Sequence, residues 1–384
     1  MAGGNGKFSY QRMSSVQAYA IKSLEPSLAD AVKRMKLPIQ GPLRIADFGC
    51  STGSNSISYM NFIMKRILQR YEAGEGAGHA MMPETLAFFI DLPGNDFNNL
   101  IQQLPPKVED GLDHSGEDGE GRDYFAATIG GSFYGRLLPK ESLHFAISMH
   151  SLHWISQIPA AVTDPSSPLY NKGRCWILGG DPAIAQQFAQ QSQRDWHNFL
   201  NSRAAEMVPG GIVFAYLLSR QDPVHPENQT NLERRHRYMA GPDFENTWND
   251  LIAQGVITAE TRDAFNLPIY CPSKEEVESA VAKCGAFDMQ CVEWSDDSDL
   301  FPEHERLRLL QYPHKFAAFY SAWVRAMVGP IMEAHMGLQA TNEWFVLHER
   351  RMVARATSLL SNAKGQQEYK FLSATFLLVV LKRK

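Results

Sequence analysis

Residues 45–55, Ile-Ala-Asp-Phe-Gly-Cys-Ser-Thr-Gly-Ser-Asn, constrain this chain more than any other stretch. An apolar run with strand character ends there in Asp47, Gly49 and Gly53, and helical spacing follows. Glycine tolerates positive φ and lets a ligand approach the backbone, while the first turn of a helix presents N–H groups without intrahelical partners. The segment reads as a ligand-binding turn between a strand and a helix. Further on, Leu86-Ala-Phe-Phe-Ile90 is a second apolar run that ends in Asp91. In a parallel sheet two such strands deliver their carboxylates to the same edge, where ligands bind. Paired acids there suit hydroxyls and amines.

The turn itself discriminates among ligands. A phosphate-cradling loop needs Gly-Lys-Ser/Thr, and this chain has Gly53-Ser54-Asn55 with no lysine. A dinucleotide fingerprint reads Gly-x-Gly-x-x-Gly, whereas the spacing here is Gly49-x-x-x-Gly53. That spacing resembles the S-adenosylmethionine turn of class I methyltransferases, in which an acid ending the second strand binds the ribose hydroxyls; Asp91 matches. On this segment alone an ordinary βα turn stays open, because short glycine motifs recur by accident.

Composition sets broad limits. A chain of 384 residues with 44% hydrophobic content holds one large domain, or a domain with a substantial cap. A net charge of −5 and a pI near 6.2 argue against broad nucleic-acid or membrane-surface binding, which needs a concentrated basic face. The basic end Lys382-Arg383-Lys384 is too short to alter that. The first residues lack the apolar core of a signal peptide and no apolar run is long enough to span a bilayer, so a cytoplasmic protein is expected. Cys50, Cys175, Cys271, Cys284 and Cys291 show no Cys-x-x-Cys pair, which leaves free thiols as the expectation. The sequon Asn228-Gln229-Thr230 matters only in a secreted protein.

Five apolar runs carry strand character: residues 43–48, 86–92, 124–129, 143–150 and 211–218. Residues 54–72 and 184–207 have helical spacing, and Pro209-Gly210-Gly211 reads as the turn into the fifth strand. Alternating elements of this kind predict an α/β fold, a doubly wound parallel sheet. Residues 109–123 are crowded with Asp, Glu and Gly and read as a solvated loop. Beyond residue 218 the pattern changes to helices over 244–254, 274–283, 315–336 and 342–360, as in a helical cap, and residues 371–381 return as a last strand. The expected organisation is a core over 1–220, a mainly helical cap over 221–365 and a returning strand within 366–384.

Three longer strings follow the glycine turn in order: Asp91-Leu-Pro-Gly-Asn-Asp-Phe-Asn98, Gly131-Ser-Phe-Tyr-Gly-Arg-Leu137 and Ser151-Leu-His-Trp-Ile-Ser-Gln157. Together they resemble the plant SABATH family, methyltransferases that act on carboxyl groups of small acids such as salicylate, benzoate, jasmonate and indole-acetate, or on xanthine nitrogens. The resemblance runs from Gly3 to the C-terminus. It implies a class I methyltransferase, Rossmann-like sheet with a helical cap, and a homodimer. It also implies a cofactor site for S-adenosylmethionine at Ser14, Asp47, Asn55, Asp91, Leu92, Ser132 and Phe133. In this scheme Asp47 and Asn55 hold the methionine portion, Asp91 the ribose and Leu92 the edge of the adenine; Ser132 reaches the adenine amine and Phe133 stacks.

For the substrate the resemblance implies that Gln17 and Trp154 hold the carboxylate and that Tyr10 closes over the sulfonium. Both carboxylate partners are uncharged donors. A carboxylate is already deprotonated near neutral pH, so methylation needs no general base. His150 and His153 flank Trp154 where salicylate-type members have Tyr and Met; a lone histidine is often structural, and here both also suit a pocket wall. Leu218, Ala240, Gly241, Val324, Met327 and Phe371 match substrate-shaping positions. Gly241 replaces the Trp of salicylate-type members and opens the far end of the pocket, which favours a longer arylalkyl or arylalkenyl acid such as indole-acetate or a cinnamate or coumarate. Asp263-Ala-Phe-Asn266 with Asn171 resembles a segment assigned to structural Mg²⁺, with the Phe265 carbonyl completing the set; simple capping by Asp263 and Asn266 explains those residues equally well. The expected activity is methyl-ester formation on a small hydrophobic acid. N-methylation of a xanthine-like heterocycle and a catalytically silent receptor for a small acid remain alternatives.

Overall fold

The computed structural model describes residues 18, 21–75, 82–107, 121–230, 241–295, 308–361 and 375–384. The strands are β1 (Leu43–Phe48), β2 (Thr85–Asp91), β3 (Phe125–Gly130), β4 (Leu143–Met149), β5 (Met207–Ser219), β6 (Phe287–Ser295) and β7 (Thr375–Arg383). They form one seven-stranded sheet in the order β3-β2-β1-β4-β5-β7-β6. The pairings from β3 across to β5 are parallel, whereas β7 runs antiparallel to both β5 and β6. Every residue of β4 is buried, as a central parallel strand covered on both faces requires. Strand order reverses between β1 and β4, the switch point at which such sheets bind ligands.

The helices are α1 (Glu25–Arg34), α2 (Ser54–Glu72), α3 (Phe97–Gln103), α4 (Pro182–Glu206), α5 (Pro242–Ala253), α6 (Ala259–Ala264), α7 (Lys274–Cys284) and α8 (Pro313–Leu360). Alternation along the strands builds two cores. Ile212, Phe214, Tyr216 and Leu218 of β5 share a cluster with α2, α5 and α8, while Val213, Ala215 and Leu217 share one with α4 and α7. On α2 the buried Ile57, Met60, Ile63, Met64 and Ile67 recur at helical spacing and form its inner stripe. A capping box of Ser273 and Glu276 starts α7, and Gly285 at φ 67° ends it. Within α8, Gly337 at φ 82° and ψ 163° breaks the helical path, so two helical stretches meet there, as the gap between residues 336 and 342 in the sequence pattern anticipates.

Three local expectations change. Pro209-Gly210-Gly211 lies inside β5 rather than before it: the register slips between Leu143 and Phe145, and Gly210, at φ 85°, accepts a hydrogen bond from Lys36 N–H at 3.1 Å. β6 has no counterpart in the sequence reading, yet it pairs along β7 as the edge of the sheet. The last strand spans Thr375–Arg383, displaced from 371–381. The five cysteines are free thiols, and among the described residues no helix is long and apolar enough to cross a membrane.

Candidate active site

The turn after β1 is clipped to the end of β2, since Gly49 and Cys50 N–H both donate to the Ile90 carbonyl at 2.8 and 3.1 Å. Gly49 has φ 103°, and a Cβ on it would stand 2.1 Å from Ser151 Oγ. Gly53, at φ 102°, caps α2 without a side chain, and a Cβ there would meet Leu100 Cγ of α3 at 2.6 Å. Both glycines are thus dictated by conformation and by close packing together. The turn lies against the loop that follows β4 on one side and against α3 on the other.

Asp91 is held by two backbone donors: Ser51 N–H to Oδ2 and Leu92 N–H to Oδ1, each at 2.7 Å. Burial pushes its carboxyl up and these two bonds oppose that shift. Each oxygen keeps a lone pair for a further donor. Asp47, one strand away, is fully buried, and neither of its oxygens has a hydrogen-bond partner among the described residues. Ser56 and Tyr59 lie nearby, but Ser56 Oγ donates to the Cys50 carbonyl at 3.0 Å and meets Tyr59 Oη at 3.1 Å. Burial raises the Asp47 carboxyl to about 7, with those two hydroxyls offsetting part of the shift and the Asp91 charge adding to it. A buried carboxylate without a partner is costly, so this position calls for a cationic or N–H-bearing ligand. Asn55 sits half-buried in the first turn of α2.

The rim of this site is apolar. Leu92 is 57% exposed beside Asp91. Ser132 is exposed at the start of the loop after β3, where its carbonyl accepts Gly135 N–H at 3.0 Å. Phe133 sits edge-on to Tyr134 and Phe199, with centroids 4.7 and 6.3 Å apart, and lies close to the glycine turn. Two acids, an apolar rim and a flat ring match a ligand with an amine, paired hydroxyls and a planar base.

Beyond β4 the chain turns at His150, which has φ 56° and donates its N–H to the Tyr216 carbonyl at 2.7 Å. Its ring stands edge-on to Tyr216 and Phe376, and its Nε2 is buried without a partner among the described residues. His153 Nδ1 accepts Leu218 N–H at 3.3 Å, which assigns the neutral tautomer with its proton on Nε2. Burial lowers His150 to about 4 and His153 to about 3, the latter with help from its proximity to His150. Both rings are therefore uncharged near neutral pH. Trp154 is half-buried; its backbone N–H donates to the Ser151 carbonyl at 3.0 Å and its carbonyl accepts Tyr134 O–H at 2.6 Å. The segment is pinned to the stretch after α6 by Tyr270 N–H to the His153 carbonyl at 2.9 Å and Ile155 N–H to the Pro268 carbonyl at 3.0 Å.

Leu218 at the end of β5 and Val324 and Met327 on α8 are buried in one apolar cluster, against which Trp154 packs. Gly241 is buried as the cap of α5. Tyr10, Ser14, Gln17, Ala240 and Phe371 lie outside the described residues. Sequence reasoning passed over Ser51, which orients Asp91, and Tyr134, which ties two loops together, although both stand inside the quoted strings.

Asn171, Asp263 and Asn266 are brought together, but not as an ion cage. Asn171 Nδ2 donates to Asn266 Oδ1 at 2.6 Å, while Asp263 Oδ1 accepts Gly173 N–H at 2.9 Å and pairs with Arg262 at 2.7 Å. Phe265 stacks on Trp248 with centroids 4.6 Å apart. The single carboxylate is already neutralised by Arg262, and among the described residues no three His, Cys, Asp or Glu groups converge for a metal. A hard dication, which favours oxygen ligands with net negative charge, does not fit this set as it stands.

Comparison with known proteins agrees with the geometry. A family model described as SAM dependent carboxyl methyltransferase matches residues 1–384. Gibberellic acid methyltransferase 2 of Arabidopsis thaliana is 35% identical over 92% of this chain and 88% of its own length. Indole-3-acetate O-methyltransferase 1 of the same plant is 35% identical over 94% of this chain and 92% of its own. A solved structure of loganic acid methyltransferase with SAH superposes with a TM-score of 0.82 at 29% identity, covering 100% of this chain and 98% of that one. The class I sheet, the two strand-end acids and the matched strings thus converge: the chain belongs to the plant SABATH family of S-adenosylmethionine-dependent carboxyl methyltransferases.

Proposed function

We propose that this enzyme converts an arylalkyl or arylalkenyl acid, of the indole-acetate or cinnamate and coumarate kind, to its methyl ester. The observation that supports the reading is the character of the residues assigned to the substrate: Leu218, Val324 and Met327 are apolar, and the polar groups assigned with them, the Trp154 indole and the His153 Nε2–H, are uncharged. Neutral donors orient a carboxylate without drawing off the electron density it needs as a nucleophile. Gly241 adds room for a longer acid.

S-adenosylmethionine supplies an electrophilic methyl group on a sulfonium centre. Around it the chain's own groups bind and orient. Asp47 and Asn55 hold the methionine portion, Asp91 the ribose hydroxyls, and Leu92 and Phe133 flank the adenine within reach of Ser132, with Ser14 completing the site. Gln17 and Trp154 fix the carboxylate, and Tyr10 covers the sulfonium. Alignment of this sort supplies up to about 7–11 kcal/mol of barrier reduction without any proton transfer.

One observation favours a second substrate. The orphaned Nε2 of His150 suits an acid that carries a hydroxyl, and the gibberellic acid relative is as similar as the indole-acetate one. Transfer of a labelled methyl group is therefore measured against indole-acetate, cinnamate, coumarate, benzoate, salicylate, jasmonate, gibberellic acid and a xanthine, with ester extraction. The highest kcat/KM is expected for an arylalkyl or arylalkenyl acid. Preference for gibberellic acid would transfer the assignment to hydroxylated polycyclic acids, and methylation of the xanthine alone would overturn the carboxylate reading.

A further inference from the structure

We propose that one face of α4 is a ruler that sets the spacing between the substrate loop and the cofactor loop, with Asp195 at one end and the Arg203–Glu206 pair at the other. This rests on the assignment of Trp154 to the carboxylate and of Ser132 and Phe133 to the cofactor.

At the first end, Asp195 is buried and grips Ser156, two residues beyond Trp154. Its Oδ1 accepts Ser156 Oγ–H at 2.6 Å and its Oδ2 accepts Ser156 N–H at 2.8 Å. Gln191 Nε2, one turn earlier on α4, donates to both Asp195 Oδ1 and Ser156 Oγ at 2.9 Å. At the second end, Arg203 and Glu206 are both fully buried and paired at 2.7 Å. Arg203 donates to the carbonyls of Phe133 and Gly135 at 2.8 and 3.0 Å, while Glu206 Oε1 accepts the N–H groups of Leu137 and Leu138 at 2.5 and 2.9 Å. The pair thus fastens four backbone groups of the loop that carries Ser132 and Phe133.

Helix geometry puts the two ends on one side. Residues 195 and 206 are separated by about 16 Å along the axis and by only about 20° around it. Between them Phe199 packs edge-on to Phe133 and Phe48, and the Arg203 guanidinium lies 3.9 Å above the Phe48 ring. Tyr134 O–H closes the frame at the far side by donating to the Trp154 carbonyl at 2.6 Å. A buried ion pair is a poor source of stability compared with apolar packing of the same volume. It is, however, an unusually directional clamp, because loss of either partner leaves loop amides or carbonyls unpaired. In-line transfer is sensitive to this, since a shift of about 1 Å can cost about a hundred-fold in rate. Asp195, Arg203 and Glu206 touch neither reactant and are positioning residues.

The test measures S-adenosylmethionine Kd by calorimetry together with the acid's KM and kcat, in Asp195→Asn, Glu206→Gln and Tyr134→Phe proteins. Asp195→Asn is expected to raise the acid's KM at least about five-fold with the cofactor Kd unmoved, and Glu206→Gln to do the reverse. Tyr134→Phe is expected to lower kcat with little change in either constant. Should Glu206→Gln fail to fold, Arg203→Lys takes its place, because it keeps the charge and loses the fork that holds two carbonyls. Equal loss in both constants, or a lowered Tm with no split, overturns the ruler. Phe133→Ala and Trp154→Phe run alongside: if these fail to separate cofactor from acid, the site assignment is wrong, whereas a clean split in them and none in the α4 variants removes the ruler alone.

Discussion

The two halves of the proposed active site are built on opposite plans. The cofactor half is made from consecutive strand ends, with Asp47 and Asp91 on neighbouring strands and the backbone bent by glycines at φ 103° and 102°. Its polar groups are acidic, buried and partly unsatisfied. The proposed substrate half gathers Leu218, Val324 and Met327 from elements far apart in sequence and offers neutral rings. A site for a constant ligand can be written into consecutive βα units, whereas a site for a variable ligand draws on side chains that change independently. Substrate choice can then shift without disturbing the cofactor turn.

The contrast can be broken at a place where the halves touch, the approach of Ser151 to Gly49. Gly49→Ala puts a Cβ into Ser151 at a left-handed φ, and is expected to abolish both cofactor binding and turnover, a loss of at least about a hundred-fold measured by calorimetry and steady-state assay with circular dichroism to check folding. Next in size, Asp91→Ala would, on the proposed assignment, remove two charge-assisted hydrogen bonds to the ribose. These are worth about 1.5–3 kcal/mol each, so the cofactor's Kd should rise about a hundred-fold or more while the acid's KM moves far less. Trp154→Phe sharpens the contrast from the other side: kcat/KM for the acid is expected to fall about ten-fold, with cofactor affinity retained.

A finer distinction is in pH dependence. Asp47 is raised to about 7 in the free protein, so binding a cationic amine there expels a proton. Affinity for S-adenosylmethionine is expected to strengthen as pH rises through 7 and then level, and to lose that slope in Asp47→Asn. Stability of the free protein runs the opposite way. Because the folded pKa is the higher one, this group's contribution is complete below about 4 and is lost as pH climbs through 7. The substrate half should show neither trend, since His150 and His153 titrate near 4 and 3. A histidine-like step near neutral pH in the acid's KM would contradict their burial. The smallest effect belongs to metal: with Arg262 already on Asp263, chelation followed by Mg²⁺ is expected to leave turnover unchanged, and recovery on adding Mg²⁺ would show that Arg262 gives way.

What the sequence displays follows the same division. Strands buried on both faces read as apolar runs, so β1, β2, β4 and β5 are visible at once, and the glycine turn advertises its conformation by composition. β6 is hidden because an edge strand mixes polar with apolar residues: Asp288, Gln290 and Glu293 interrupt its apolar positions. The Nε2 proton of His153 is invisible because it is set by Leu218 N–H, which becomes its neighbour only through folding. Asp195, Arg203 and Glu206 read as ordinary polar positions on a helix, since nothing in a linear pattern reveals which loops they hold. The Asn171, Asp263 and Asn266 group shows the converse: the residue types suggest an ion, and the adjacent Arg262 supplies the charge instead.

The position of β7 bears on how the protein is made. It follows every other strand in the chain, yet it sits between β5 and β6 and is bonded to both. During synthesis the outer edge of β5 and the whole of β6 must wait for it, with the backbone N–H and C=O groups along Ile212–Ser219 left as an open ladder. Early folding can complete the cofactor turn on β1 and β2 but leaves a sticky border at the opposite side of the sheet. Completion of the β5–β7–β6 side of the sheet is accordingly tied to the arrival of residues 375–383.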